Sequence, residues 1–117
     1  MTKQLKVVLC EDNSALAGEI RKCLASKEGI SVEGVASGAA EAAEMIRLLK
    51  PDAVITDLIM PEKDGFFLLE RISSGELGCS PITVVISALR QENIIDRALS
   101  AGAGYYMVKP IDAEAPL

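Results

Sequence analysis

The segment DAVITDLIMPEKDG, residues 52–65, decides the reading of the fold. Residues 52–56 lead in an apolar run short enough for a strand buried on both faces. The run then meets Asp57, a poor strand former and a costly group to bury. Met60-Pro61 and Asp64-Gly65 follow as turn signals. A turn accounts for the second half of the segment. The first half poses a choice between one more turn residue and a reactive carboxylate held at the rim of a sheet.

Outward from that segment, short apolar runs alternate with longer amphipathic ones. Leu5–Cys10 reads as a strand buried on both faces toward its end. Residues 13 to about 27 read as a helix, with Leu16, Ile20 and Leu24 on one face. Asn13 or Ser14 can cap its start, and Gly29 follows its end. Residues 31–37 read as a strand and 38–50 as a helix with Ala42, Met45, Ile46 and Leu49 in its stripe; Pro51 stops it. A third helix starts after Asp64-Gly65, carries Phe67, Leu68, Arg71 and Ile72, and ends among Gly75, Gly78 and Pro81. Ile82–Ile86 is the most β-branched run and reads as the fourth strand. Residues 91–101 read as a helix with Ile94, Ile95, Ala98 and Leu99 on one face, and Tyr105–Val108 as the fifth strand. This alternation, over such short connections, predicts parallel strands with helical crossovers. Five strands make an open, doubly wound α/β sheet, whose ligands bind beyond the carboxyl ends of the strands, where strand order reverses.

Bulk properties narrow the function. The chain has 117 residues, a length for one domain, and half of them are hydrophobic, enough for one core. No apolar run reaches membrane-span length and the N-terminus lacks a signal-peptide shape, so a cytoplasmic domain without membrane contact is expected. Cys10, Cys23 and Cys79 match no metal spacing and read as reduced thiols. The absence of histidine excludes histidine catalysis and histidine phosphorylation within this chain. A net charge of -5 and few aromatic residues speak against this domain alone gripping nucleic acid.

Five polar residues fall at or just past strand ends. Glu11 and Asp12 follow the first strand, Asp57 the third, Ser87 the fourth and Lys109 the fifth. In a parallel sheet these ends share one rim. Three carboxylates there repel one another. A hard divalent cation such as Mg²⁺, which takes oxygen ligands, removes the conflict, and a lysine opposite adds positive charge. Such a site suits a phosphoryl group. Each residue also has a plainer reading. Asp12 can be part of a helix cap, Asp57 and Asp64 turn residues, Ser87 the cap of the next helix, and Lys109 a solvated lysine. Their joint placement favours the site.

These motifs resemble the receiver domains of two-component response regulators. The resemblance spans nearly all of residues 1–117. It rests on Glu11-Asp12-Asn13, the run from Asp57 to Gly65, Val84 to Ala88, and Tyr106 to Pro110. It implies a flavodoxin-like sheet of order 2-1-3-4-5. It implies Asp57 as phosphoacceptor and Asp12 as a direct Mg²⁺ ligand, with Glu11 more distant, through water, and the Ile59 carbonyl completing the set. Ser87 would bond a phosphoryl oxygen, Lys109 would pair with the phosphoryl group, and the Lys109–Pro110 bond would be cis. Tyr106 stands at the aromatic switch position, which turns inward as the hydroxyl at 87 moves. Ile59 and Leu89 flank the path of the hydrolytic water; both are apolar, which implies slow self-dephosphorylation. The donor would be a histidine kinase or histidine phosphotransfer protein, reading residues near the first helix such as Ala15, Leu16 and Glu19.

Two narrower points follow. The stretches Ser87–Asn93 and Ala101–Asp112, with Lys6–Asn13 and Gly34–Ala36, are similar to the receivers of sporulation transcription regulators of spore-forming bacteria. DNA would then be met only through a domain outside this chain. Seven residues, Ile111–Leu117, follow Lys109-Pro110, too few for the fifth helix usual in receivers. A fragment of a longer regulator is expected, with exposed apolar surface that favours a homodimer. Two other readings stay open. A Mg²⁺-dependent phosphohydrolase would need an acidic group where Ile59 stands, and a receiver-like interaction module would never become phosphorylated.

Overall fold

Alternation along the first strand sets the layout of the molecule. In β1 (Leu5–Cys10), Val8 and Cys10 point into one layer and Leu9 into the other. A computed structural model describes residues 4–110. After β1 come α1 (Ser14–Ala25), β2 (Ile30–Ala36), α2 (Ala39–Leu49), β3 (Ala53–Asp57), α3 (Gly65–Ser73), β4 (Ile82–Ser87), α4 (Glu92–Ser100) and β5 (Tyr105–Val108). The strands form one parallel sheet in the order β2-β1-β3-β4-β5, as expected.

The two faces carry different helices. Val8, Cys10 and Val54 pack with Ala42, Ile46 and Leu68 of α2 and α3, and Val85 packs with Phe66, Leu69 and Ala98 of α3 and α4. Leu9 and Ile86 pack with Ala17 and Ile20 of α1. Complete burial of a side chain such as Leu9 contributes about 1.5–3 kcal/mol. The Arg97 guanidinium carbon lies 3.8 Å from the Phe66 ring centroid and ties α4 to α3.

The observed elements differ from the expected ones in instructive places. Asp57 and Ser87 are the last residues of β3 and β4 and do not lie beyond them, because each is still paired in the ladder, Asp57 with Ile86 and Ser87 with Val108. α3 stops at Ser73, and the chain then turns through Gly75 and Gly78, both at positive φ. Leu49 and Leu99 lie at the margins of their stripes and stay exposed.

One apolar face is open. Ile82 and Ile86 share a face of β4, and Ile86 sits opposite Met107. On that side Ile82, Tyr105 and Met107 are 55%, 63% and 44% exposed. Among the described residues no helix follows β5 to cover them. Ile111–Leu117 lie outside the described residues.

Candidate functional site

The strand order places the reversal between β1 and β3, and the acidic residues gather there. Glu11 follows β1 and is 3% exposed; Asp12 beside it is exposed; Asp57 closes β3 and is 6% exposed. One carboxylate oxygen from each lies within 4.8 Å of the others. Lys109, just past β5, bridges two of them. Its Nζ is 2.7 Å from Asp57 Oδ2 and 2.9 Å from Glu11 Oε1.

Backbone groups fix these side chains. Asp57 Oδ1 accepts from the amides of Leu58 at 2.7 Å and Ile59 at 3.3 Å. Oδ2 is thus the oxygen turned toward the pocket. Glu11 Oε2 accepts from the Asn13 amide at 3.1 Å. Asn13 Oδ1 in turn accepts from the Leu16 amide and caps α1, so the capping role falls to Asn13 and not to Asp12. Asp64 caps α3 through the Phe67 amide, in line with its plainer reading.

The charges respond to this packing. Burial pushes the Glu11 carboxyl above its ordinary value, against the pull of Lys109. Burial disfavours the Lys109 charge, but hydrogen bonds to Asp57 and Glu11 outweigh it and hold the ammonium above the usual lysine value. The candidate ligands are all oxygen, three carboxylates, with the Lys109 ammonium beside them. That chemistry fits Mg²⁺. The nearby Cys10 thiol is buried and pushed up to about 12, which keeps it an unreactive thiol against Met60.

Ser87 and Tyr106 meet on one residue. Ser87 is fully buried, and its Oγ accepts from the Leu89 amide at 3.1 Å. It does not cap α4, whose N-cap is Gln91. Tyr106 is half-buried, and its hydroxyl donates to the Leu89 carbonyl at 2.8 Å. Ile59 is 60% exposed at the rim, and Leu89 is half-buried. The Lys109–Pro110 peptide bond is cis.

A residue missed in the sequence is Gly65. Its amide donates to the Leu58 carbonyl at 2.9 Å. A Cβ there would run into the Asp57 carbonyl oxygen and sit 2.8 Å from Leu58 Cα. Asp64-Gly65 reads as a turn signal, which hid this close approach of α3 to the end of β3. A groove beside the acidic residues was also not foreseen. It holds about 300 Å³ and is lined by Asp12, Ser14, Gly18, Arg21, Ser37 and Glu41.

A receiver-type signalling module is the class of protein that this fold and acidic rim define. A family model, "Response regulator receiver domain", matches residues 7–116, and the chain belongs to that family. Its fold is similar to the signal receiver domain of the NarL response regulator of Mycobacterium tuberculosis, with TM-score 0.89 and 26% identity over 95% of this chain and 88% of that one. It is similar to the response regulator domain of Thermotoga maritima CheB, with TM-score 0.85 and 25% identity over 97% and 84% of the two chains. A third similar structure is the CheX-CheY complex of Borrelia burgdorferi, which contains BeF3 and Mg²⁺. There the TM-score is 0.83, with 26% identity over 95% and 82%. Among the described residues no helix is long and apolar enough to cross a membrane.

Proposed function

We propose that Asp57 accepts a phosphoryl group from a phosphohistidine partner, a histidine kinase or a histidine phosphotransfer protein, in a Mg²⁺-dependent reaction that switches an output. The observation that carries this reading is the 2.7 Å contact between Lys109 Nζ and Asp57 Oδ2 inside a pocket of three carboxylates. The BeF3 and Mg²⁺ of the similar CheY complex support it. Asp57 Oδ2 forms a bond to phosphorus as the donor's N–P bond breaks, and the donor nitrogen keeps the electron pair. Lys109 moves onto the phosphoryl oxygens. Asp12, Asp57 and the Ile59 carbonyl would hold the metal, with Glu11 contributing more distantly. When bound, the ion would supply charge balance for the phosphoryl group.

Ser87 then exchanges the Leu89 amide for a phosphoryl oxygen, and Tyr106 follows through the same residue. New contacts at the phosphoryl group bias the α4–β5 face without changing the fold. Ile59 and Leu89 offer no group to orient a hydrolytic water, so the phosphorylated state is long-lived. The apolar Ile59 also disfavours the phosphohydrolase reading. Residues 1–117 act as the receiver of a longer regulator whose output is transcription, in sporulation control, with DNA contacted by another domain. The runs from Ser87 to Asn93 and from Ala101 to Pro110 support that finer reading. The open face at Ile82, Tyr105 and Met107 supports a homodimer, which sedimentation would detect.

Incubation with a small-molecule phosphodonor and Mg²⁺, read by intact mass, tests the main claim. Wild type gains one phosphoryl group, and chelation prevents it. Steady turnover of a phosphate ester would instead support the phosphohydrolase.

A further inference from the structure

Helix α4 is lightly held, and its two ends are held differently. Among the described residues of α4, Ala98 alone is buried; Ile94 and Ile95 are half-buried. At the carboxyl end the Ala103 amide donates to the Ala98 carbonyl at 3.0 Å, and the Gly104 amide to the Thr83 carbonyl at 2.8 Å. The Ser73 hydroxyl of α3 donates to the Ala101 carbonyl at 2.6 Å. At the amino end Gln91 makes no side-chain capping bond, and its side-chain oxygen accepts from the Arg90 amide at 3.1 Å. That end continues the loop in which Ser87 Oγ meets the Leu89 amide. The helix is pinned behind and loose at the end that follows the rim.

Between these ends one side chain reaches across to α3. The Arg97 guanidinium carbon lies 3.8 Å from the centroid of the Phe66 ring. Arg97 is exposed, whereas Phe66 is 7% exposed and packs with Leu58, Val85 and Ala98. The ring is anchored beside the acceptor strand, because Phe66 follows Gly65, whose amide donates to the Leu58 carbonyl at 2.9 Å. Arg97 thus joins a helix with a loose end to a ring with a fixed place.

We propose that Arg97, seated on Phe66, is a latch that holds α4 in its resting position, and that a phosphoryl group at Asp57 releases it. When Ser87 leaves the Leu89 amide, the loop moves and draws the amino end of α4 with it. The carboxyl end is fixed by main-chain bonds, so the helix swings, and the guanidinium slides off a ring that stays. A cation is held by a ring only within about 6 Å of its centroid. A contact present in the resting state and absent from the phosphorylated one opposes phosphoryl binding by its own free energy. The inference rests on the phosphoacceptor reading of Asp57. It adds a restraint on α4 that runs through α3, apart from the Ser87–Leu89–Tyr106 link.

The test uses the full chain and beryllofluoride, a stand-in for the phosphoryl group, at saturating Mg²⁺. Affinity is read by calorimetry and stability by urea titration. Arg97→Gln raises beryllofluoride affinity about threefold, the reach of one such contact at an exposed site. Loss of a positive charge would by itself weaken binding of an anion, so the expected sign separates the latch from simple electrostatics. Phe66→Leu raises affinity as well, and the double variant gains no more than either single one. Arg97→Gln is less stable than wild type without beryllofluoride and equally stable when saturated with it. A contact that is merely structural would weaken both forms alike. Unchanged or lower affinity in Arg97→Gln, or an equal stability loss in both forms, overturns the inference alone. So do fully additive gains in the double variant, since Arg97 would then act without the ring. Wild type that binds beryllofluoride no better than Asp57→Asn overturns the phosphoacceptor reading and this inference with it.

Discussion

Tyr106 and Leu89 are joined by a 2.8 Å hydrogen bond from the tyrosine hydroxyl to the backbone carbonyl, across the gap between β5 and the loop after β4. Ser87 Oγ binds the amide of the same leucine. The two side chains proposed for the switch are therefore linked through one residue. Tyr106→Phe removes the hydroxyl without emptying its half-buried place against the α4 side. It should cost about 1 kcal/mol of stability in urea titration and leave Asp57 phosphorylation intact. If the variant is no less stable, the bond contributes nothing to the resting state.

Lys109→Met leaves Glu11 and Asp57 without their shared cation. A loss of about 2 kcal/mol is expected at neutral pH without metal, because buried carboxylates then lie unpaired. Lys109 is held above the ordinary lysine value, so its contribution is complete below the unfolded pKa. It fades as pH rises through the higher folded value. The stability difference between wild type and variant should be level from neutral pH to about pH 10 and shrink above it. Mg²⁺ should stabilise the variant more than wild type. A difference that does not change in alkali would contradict this.

The lifetime of the phosphorylated state should depend on Ile59 and Leu89. Ile59→Asn with Leu89→Glu supplies polar groups at the rim that can orient water. Decay of the phosphoprotein, followed by intact mass, should quicken on the order of tenfold. An unchanged decay rate would remove these two side chains from the account.

Gly65→Ala should disturb the acceptor itself. The added methyl meets the backbone of Asp57 and Leu58, so α3 or the end of β3 must shift. A loss of about 1–3 kcal/mol is expected, with slower phosphorylation in the fraction that remains folded. Lys50 offers a contrast. It ends α2 at φ 46, and Lys50→Gly should raise the urea midpoint by the equivalent of about 0.5–1 kcal/mol.

Much of this was legible in the sequence because periodicity and strand ends report directly on a parallel sheet. Ile82–Ile86 and Tyr105–Val108 read as strands from their β-branched and aromatic residues, and both are strands. Asp57, Ser87, Lys109 and the Glu11-Asp12 pair gather on one rim because the strands run parallel. What sequence could not supply was contact detail. The reach of Glu11 to Lys109 depends on side-chain length and on neighbouring strand ends together. The need for glycine at 65 depends on how closely α3 approaches β3, which a turn signal does not encode. The shared use of Leu89 runs through backbone atoms, which every residue carries.

The most direct test is the location of the phosphoryl group. After reaction with phosphoramidate and Mg²⁺, borohydride reduces an acyl phosphate to an alcohol that marks the acceptor in a peptide digest. The account predicts the mark at Asp57 in wild type and none in Asp57→Asn. A mark at Asp12 or Glu11, or undiminished labelling of Asp57→Asn, would contradict it.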